Sequence, residues 1–516
     1  MTALRRAAAL ALAAALAAPA AAQDRPSDEE VFGAPAAGER PAAAGQAPRP
    51  DEAEVFGGPG PPGALPPPPE GIVPRDREDP LKIGGQLYLR LQAYSAEGAD
   101  PADWTAVSPN LVDLFVDVRP NDRVRGFALA RTAYNAIAVD PSGGIPPEVA
   151  EPLGLVPLPT TATALDQLWV NFDVARTVFV TAGRQHVKWG VGRFWTPTDF
   201  LHRTPRDPLD PFDVRVGTAM VKAHLPWEKR GWNAYAVALL EDPRHGGGDR
   251  SGTLGGIPVG GRVEVVLGTV EVGADALVGR GAPSRFGLDV SAGVWELDLH
   301  GEVAVGGARP RWRVRDPAAP PVAGAGQGRW ELRDATGASP RVVAGASWSR
   351  RYSDEDAFTL GAEWFWQESG YDDPDVYGFL AAGAPALTPP ADPADPTSVS
   401  LFRQDPSAFT SFQLGRQYAA AFLSLPSPGS WNDTTFALSV LGNLSDRSFV
   451  ARLDHSVLLL TYLRLETFAA VHLGRAGGEL RLDLALPELG SFFAVPGGVV
   501  TNRPLLDLGV ALRVSL

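Results

Sequence analysis

The 516-residue chain contains no cysteine. It therefore has no disulfide framework, no lipidated N-terminal cysteine and no thiolate metal site. A positive charge balance is also missing. The formal net charge is −14 at pH 7, which argues against the basic surface that nucleic-acid binding needs. Beyond the first two dozen residues there is no apolar run of about 18 residues, so no helix of the mature chain is expected to cross a membrane. A membrane β-barrel stays open, because alternating strands escape hydropathy averaging.

Several chemistries lack their signatures. No histidine pair sits at zinc spacing, and the acidic run Asp372, Asp373, Asp375 has no EF-hand spacing and reads as solvated loop. No metal and no cofactor are expected. There is no Gly-x-Ser-x-Gly elbow. Asp454-His455-Ser456 invites a hydrolase reading, but neighbours along a strand point to opposite faces, so His455 and Ser456 cannot meet directly. The chain is not expected to be an enzyme.

The N-terminus reads as a secretory signal over residues 1–22. Arg5 and Arg6 precede an Ala/Leu run that ends in Ala20-Ala21-Ala22, which leaves Gln23 as the first mature residue. Residues 23–80 are rich in Pro, Ala, Gly and acid, including Pro66 to Pro69, and are expected to be a disordered periplasmic leader. One word occurs there twice, as Glu30-Val31-Phe32-Gly33 and Glu54-Val55-Phe56-Gly57. Val31, Phe32, Val55 and Phe56 are candidates for docking in a groove of a periplasmic partner, with two tethered copies adding avidity.

From Leu81 the pattern acquires period two. In Leu111–Arg119, Val112, Leu114, Val116 and Val118 alternate with Asp113, Phe115, Asp117 and Arg119. In Trp295–Val303, Trp295, Leu297, Leu299 and Val303 oppose Glu296, Asp298, His300 and Glu302. Such strands have one apolar and one polar face. A soluble sandwich shows the same alternation. Three features favour a membrane barrel: strands of about ten to thirteen residues, polar faces charged with both signs, and short turns alternating with long loops near 138–162, 188–213, 307–340 and 369–413. Residues 81–516 are thus expected to form an all-β, transmembrane antiparallel β-barrel of about eighteen strands, with sixteen as the alternative. Its face pattern points Asp113, Asp117, Arg119, Glu296, Asp298, His300 and Glu302 into the lumen, together with Arg90, Asn171, Arg464 and Glu466.

The last strand, 505–516, alternates Leu506, Leu508, Val510, Leu512, Val514 and Leu516 with Asp507, Gly509, Ala511, Arg513 and Ser515. It resembles the C-terminal signal through which outer-membrane barrels engage the barrel-assembly machinery, with Leu where a terminal Phe is usual. The resemblance implies a protein of a Gram-negative outer membrane, in contact with its lipid.

Gly183–Asp213 breaks the alternation and concentrates Arg, His, Lys, Trp and Asp among Gly and Pro. Arg184, His186, Lys188, Arg193, His202, Arg203 and Arg206 are candidate donors there. Asp199, Asp207, Asp210 and Asp213 are candidate acceptors, and Trp189, Phe194 and Trp195 candidate stacking surfaces for flat polar ligands. The expectation is an outer loop folded into the lumen, where opposed charges would orient a polar solute. The other reading is that Arg–Asp pairs only pin the loop to the wall.

Gly183-Arg184-Gln185, Trp189-Gly190, Pro197-x-Asp199 and Arg215-x-Gly217 resemble the matching segment of porin-like outer-membrane barrels, among them the alginate-export-like and other large barrels. The resemblance implies a solute channel or export pore. Two further readings stand beside it. One is a barrel that serves as docking platform for a trans-envelope complex held through the two Glu-Val-Phe-Gly words. The other is an adhesin that uses loops 307–340 and 369–413. A TonB-dependent transporter is disfavoured, because residues 23–80 do not read as a folded plug.

Overall fold

The computed structural model describes residues 80–137, 161–202, 206, 208–209, 215–241, 253–279, 282–307, 311–318, 329–333, 337–354, 356–377, 413–482, 484–486, 499–501 and 503–515. The signal and leader, with Val31, Phe32, Val55 and Phe56, lie outside the described residues, as does Leu516.

Eighteen long strands form one closed antiparallel sheet, joined at one end by the short strand Thr105–Val107. They are β1 (Leu81–Ala96), β2 (Pro109–Asn121), β3 (Val124–Asn135), β4 (Thr161–Val174), β5 (Val178–Gln185) and β6 (Thr218–Trp227). Next come β7 (Trp232–Leu239), β8 (Val259–Leu267), β9 (Val270–Gly279), β10 (Ala282–Val294), β11 (Leu297–Gly307) and β12 (Ala338–Arg351). The last six are β13 (Ala357–Gln367), β14 (Gln417–Pro426), β15 (Thr434–Asn443), β16 (Ser448–Leu460), β17 (Leu463–Gly474) and β18 (Pro504–Ser515). Each pairs with its neighbours in sequence. β18 also pairs with β1, from Gln86↔Ser515 to Ala93↔Leu508, which closes the sheet into a barrel and removes its edges.

The alternation along each strand decides what kind of barrel this is. Leu114 is 60% exposed and Leu288 53% exposed, whereas the inward-facing Asp289 and Glu302 are each 1% exposed. Leu87, Leu89 and Leu91 on β1, and Leu168, Val170 and Phe172 on β4, are exposed in the same way. A soluble sandwich would hide these side chains and expose the carboxylates. This molecule does the reverse, which is the arrangement of a lipid-bathed wall around a polar lumen. The inward-facing charges are paired: Arg131 to Asp113 at 2.9 Å, Arg125 to Asp117 at 2.9 Å and Arg262 to Asp275 at 3.1 Å. Pairing offsets the desolvation cost of charges on a crowded inner face.

The two ends of the barrel differ. At one end the connections are short, such as Asp122-Arg123, Gly268-Thr269 and Thr461-Tyr462, and the start of β1 and the end of β18 lie there. Exposed Trp227, Trp295, Trp431 and Tyr462 sit at this end. Trp227 meets Trp232 with ring centres 6.2 Å apart and Trp431 meets Phe436 at 5.6 Å, as in an interfacial aromatic girdle. At the other end lie most of the longer connections, between β3 and β4, β5 and β6, β11 and β12, and β13 and β14. Among the described residues no helix is long and apolar enough to cross a membrane.

One face assignment needs correction. Trp295 and Glu296 are not strand residues but the turn between β10 and β11, with Trp295 at φ 58°. Glu296 is exposed and accepts a hydrogen bond from Nε1 of Trp348 at 3.0 Å. Trp348 pairs with the outward-facing Leu297, so Glu296 belongs to the outer rim and not the lumen. A two-residue turn keeps the apolar/polar rhythm of its flanks, and the rhythm alone does not mark where the strand ends.

Candidate functional site

The connection from β5 to β6 does not stay at the mouth. Glu302 and Glu363 project inward from near the middle of β11 and β13, and residues 190–198 of the connection wrap around their carboxylates. Glu302 Oε1 accepts from the backbone N–H of Val191 at 2.6 Å and of Gly192 at 2.5 Å. Its Oε2 accepts from the N–H of Thr198 at 3.2 Å and the hydroxyl of Thr198 at 2.8 Å. Glu363 accepts from the N–H of Arg193 at 2.7 Å, Phe194 at 3.1 Å and Trp195 at 2.9 Å. His300 Nε2 lies 3.0 Å from Glu363 Oε2. The segment therefore lies inside the barrel, against the wall.

The local sequence permits this tight wrap because two positions lack a side chain. Gly190 has φ +93°, and a Cβ there would stand 2.6 Å from both Glu302 Oε1 and Thr198 Oγ1. A Cβ on Gly192 would meet the Trp195 carbonyl oxygen at 1.9 Å. Only glycine lets the backbone approach so closely at such a dihedral.

Apolar side chains complete the attachment in two clusters. Phe194 and Trp195 pack with Val343, Phe365, Tyr418, Phe422, Leu441, Val450 and Leu480. Trp195 lies nearly parallel to Phe365, with ring centres 5.5 Å apart. Trp189, Phe200 and Leu201 pack with Met220, Val237, Leu239, Leu277 and Ala304. Trp189 and Trp195 are each 2% exposed, which corrects the expectation that they offer faces to a ligand: they are packing residues.

The polar side of the loop faces a small cleft of about 80 Å³. It is lined by His186, Lys188, Arg193, His202, Arg206 and Arg215, with Asp199, Thr196 and Phe194. The imidazoles of His186 and His202 stack with centres 5.7 Å apart. His186 Nε2 is 2.8 Å from Asp166 and His202 Nδ1 is 2.7 Å from Asp199. Arg215 stands 3.3 Å from Asp199. Burial works against the charged form of Asp199, but His202 and Arg215 outweigh it and hold its carboxyl below the usual range. The guanidinium of Arg193 lies over the Phe422 ring, 3.5 Å from its centre.

The cleft thus brings together His186, Lys188, Arg193, Asp199, His202 and Arg206, six of the expected site residues. Arg184 is elsewhere. It pairs in register with the outward-facing Leu168 and reaches Glu241 at 2.9 Å, so it belongs to the outer face. The sequence grouped it with the loop because it precedes the loop directly, but it is still a strand residue and its parity points outward. Arg203, Asp207, Asp210 and Asp213 lie outside the described residues.

Of the lumen residues, Asp113, Asp117 and Arg119 share the inner face of β2, where Arg119 reaches Asp117 at 3.1 Å. On β11, Asp298 shares the face of His300 and Glu302. Asn171 donates to Thr181 at 2.8 Å. Arg90 stands over the Phe468 ring at 5.2 Å, and Glu466 pairs with Arg513. Arg464, opposite Arg513 in the ladder, shares that face. His455 and Ser456 lie on opposite faces of β16, with His455 against Phe436 at a ring distance of 4.9 Å. Among the described residues no group of three or more His, Asp or Glu side chains is placed to hold a metal ion.

Two wall residues that matter here carry no sequence signal. Asp166 is the extra residue of a β-bulge, where the β3–β4 register passes from Leu129↔Gln167 to Ala130↔Leu165. The bulge turns it inward, where it meets His186, accepts from the N–H of Gly217 at 3.0 Å and lies 3.6 Å from Arg131. Glu363 sits in an apolar–polar strand like any other inward carboxylate.

No family model matches the chain, and no curated protein matches it. Among solved structures it is similar to Acinetobacter baumannii OccAB4, at 7% identity and a TM-score of 0.47, over 85% of this chain and 99% of that one. It is also similar to Pseudomonas aeruginosa OccK8 (OprE), at 9% identity and a TM-score of 0.45, over 84% and 98% of the two chains. A mutant porin of Rh. blastica aligns at 12% identity and a TM-score of 0.35, over 84% and 100%. The assignment of a membrane barrel rests on the closed sheet and its inverted polarity described above.

Proposed function

We propose that this protein is a porin-like channel of a Gram-negative outer membrane, through which a small polar solute passes without an energy source. In this reading residues 1–22 direct export, residues 23–80 lie in the periplasm, and strand 505–516 is recognised by the barrel-assembly machinery. Segment 188–213 narrows the lumen. The observation that carries the reading is the attachment of residues 190–198 to Glu302 and Glu363 at mid-depth of an eighteen-stranded barrel. Barrels of about this strand number enclose an aqueous channel unless something fills them. A loop at mid-depth with a charged cleft is then the element that sets size and charge preference.

The test is solute uptake by proteoliposomes. The refolded protein should admit small sugars and amino acids, and deleting 188–213 should raise the uptake rate and admit larger solutes. A folded barrel that admits none, with or without the loop, would remove the channel reading. That result would favour the docking platform, with Val31, Phe32, Val55 and Phe56 as the contacts to examine.

A further inference from the structure

We propose that Glu302 and Glu363 are the positioning residues of the pore, a pair of wall anions that hold the loop in place by filling two nests of loop N–H groups. The inference rests on the channel reading for its consequence, but the latch itself is a separate claim.

The geometry is specific. A run of backbone N–H groups pointing into one concavity is an anion site. Residues 191–195 and Thr198 make two such concavities side by side, and in each the anion comes from the wall and not from solution. All hydrogen bonds to Glu302 among the described residues come from the loop: Val191, Gly192 and both donors of Thr198. Glu363 receives three consecutive loop N–H groups and shares its remaining contact with His300.

Two features separate this from ordinary loop packing. First, both carboxylates are nearly fully buried, at 1% and 4% exposure, and among the described residues the loop supplies all the hydrogen bonds to Glu302 and three of the four contacts of Glu363. A loop held only by Phe194, Trp195 and Trp189 would not require charges beneath it. Second, the donors are main-chain groups, so the latch fixes the path of the backbone and leaves the side chains of Lys188, Arg193 and Arg206 directed to the cleft. Charge-assisted bonds of this kind are about twice as strong as neutral ones, and several converging on one carboxylate act together. A third buried carboxyl group also meets backbone donors, but it belongs to a connection and not to the wall. The buried Glu479, in the β17–β18 connection, accepts from the N–H of Gln413 at 2.8 Å and of Leu414 at 3.2 Å, and from the hydroxyl of Tyr418. Tyr418 packs on Trp195, so the two attachments share a core.

The experiment compares wild type with the isosteric double variant Glu302→Gln/Glu363→Gln, using Glu296→Gln as a rim control that also loses one carboxylate. Hydrogen exchange and single-channel conductance are recorded on the same refolded samples. An amide placed under a nest of N–H donors meets like with like through its NH2 and loses acceptor capacity. The expected result is exchange of amides 191–198 faster by about tenfold or more, unchanged exchange in the strands, and higher, noisier conductance. Wild-type exchange over 191–198 in a folded double variant would overturn the latch. Faster exchange with unchanged conductance in a conducting channel would support the latch and remove the constriction reading, so the two claims fail separately. If the double variant does not fold, Thr198→Val decides, because it keeps both carboxylates and removes one donor. Faster exchange around 191–198 supports the latch, and wild-type exchange overturns it.

Discussion

Gly190 shows how little freedom the loop has at the scale of single residues. Its left-handed dihedral, with two oxygens where a Cβ would lie, makes Gly190→Val doubly unfavourable, costing about 1–3 kcal/mol of loop docking. Limited proteolysis should cut this variant within 190–200 about tenfold faster than wild type while the barrel stays intact; equal rates would show that the loop path is not fixed at Gly190. Glu479 makes a prediction about pH. Burial is the main cause that raises its carboxyl above the usual range, with nearby Asp446 adding to it, and Asp446 is itself raised by burial. A raised pKa in the folded state means that the docked loop binds a proton more tightly than the free one. Docking of 475–482 should therefore be strongest at acid pH and weaken as pH rises through the raised pKa. Amide protection of Glu479–Arg481, corrected for intrinsic exchange, should fall as pH rises upward from the usual carboxylate range, and Glu479→Gln should flatten the dependence. A rise in protection over that range would contradict the assignment.

At the scale of elements, each strand answers to two solvents. The same period that places Leu288 against lipid places Asp289 against the lumen. Arg at an outward mid-strand position is expected to cost about 2–4 kcal/mol of membrane stability, because it sets a charge in the hydrocarbon. Leu288→Arg should therefore refold into lipid vesicles with a clearly lower denaturant midpoint, while Gly293→Arg on the inner face of the same strand, where a Cβ meets nothing nearer than Asp298 Oδ1 at 3.8 Å, should alter ion selectivity more than stability. If both variants lose stability equally, the inward and outward faces of β10 are misassigned. Strand faces were legible in the sequence for this physical reason. Asp113, Asp117, Asp298, His300 and Glu302 all follow from parity and all face inward. Parity also misleads at element ends. It carried Glu296 into a strand that starts one residue later, and proximity drew Arg184 into a loop that had not yet begun. Asp166 could not be found by alternation, because a bulge is a local break in the alternation itself.

For the whole molecule, closure and polarity were readable. The wall partners of the β5–β6 connection were not. Arg193 and Glu363 are 170 residues apart in the chain, and the hydrogen bond between them is donated by a main-chain N–H that any residue type would supply. Nothing in a single sequence marks which of many inward carboxylates will receive such groups. The burial of Trp189 and Trp195 was hidden for a similar reason: an aromatic in a polar loop reads as a ligand platform until the wall it packs against is known. Taken as one body, the barrel holds its β5–β6 connection at mid-depth by two carboxylates and two apolar clusters. The central claim is that this assembly is a water-filled pore narrowed by its own loop. Single-channel recording of refolded residues 23–516 in a planar bilayer tests it most directly. The account predicts steady conductance that increases when 188–213 is deleted. A folded protein that stays silent in both forms, or conducts equally with and without the loop, would contradict it.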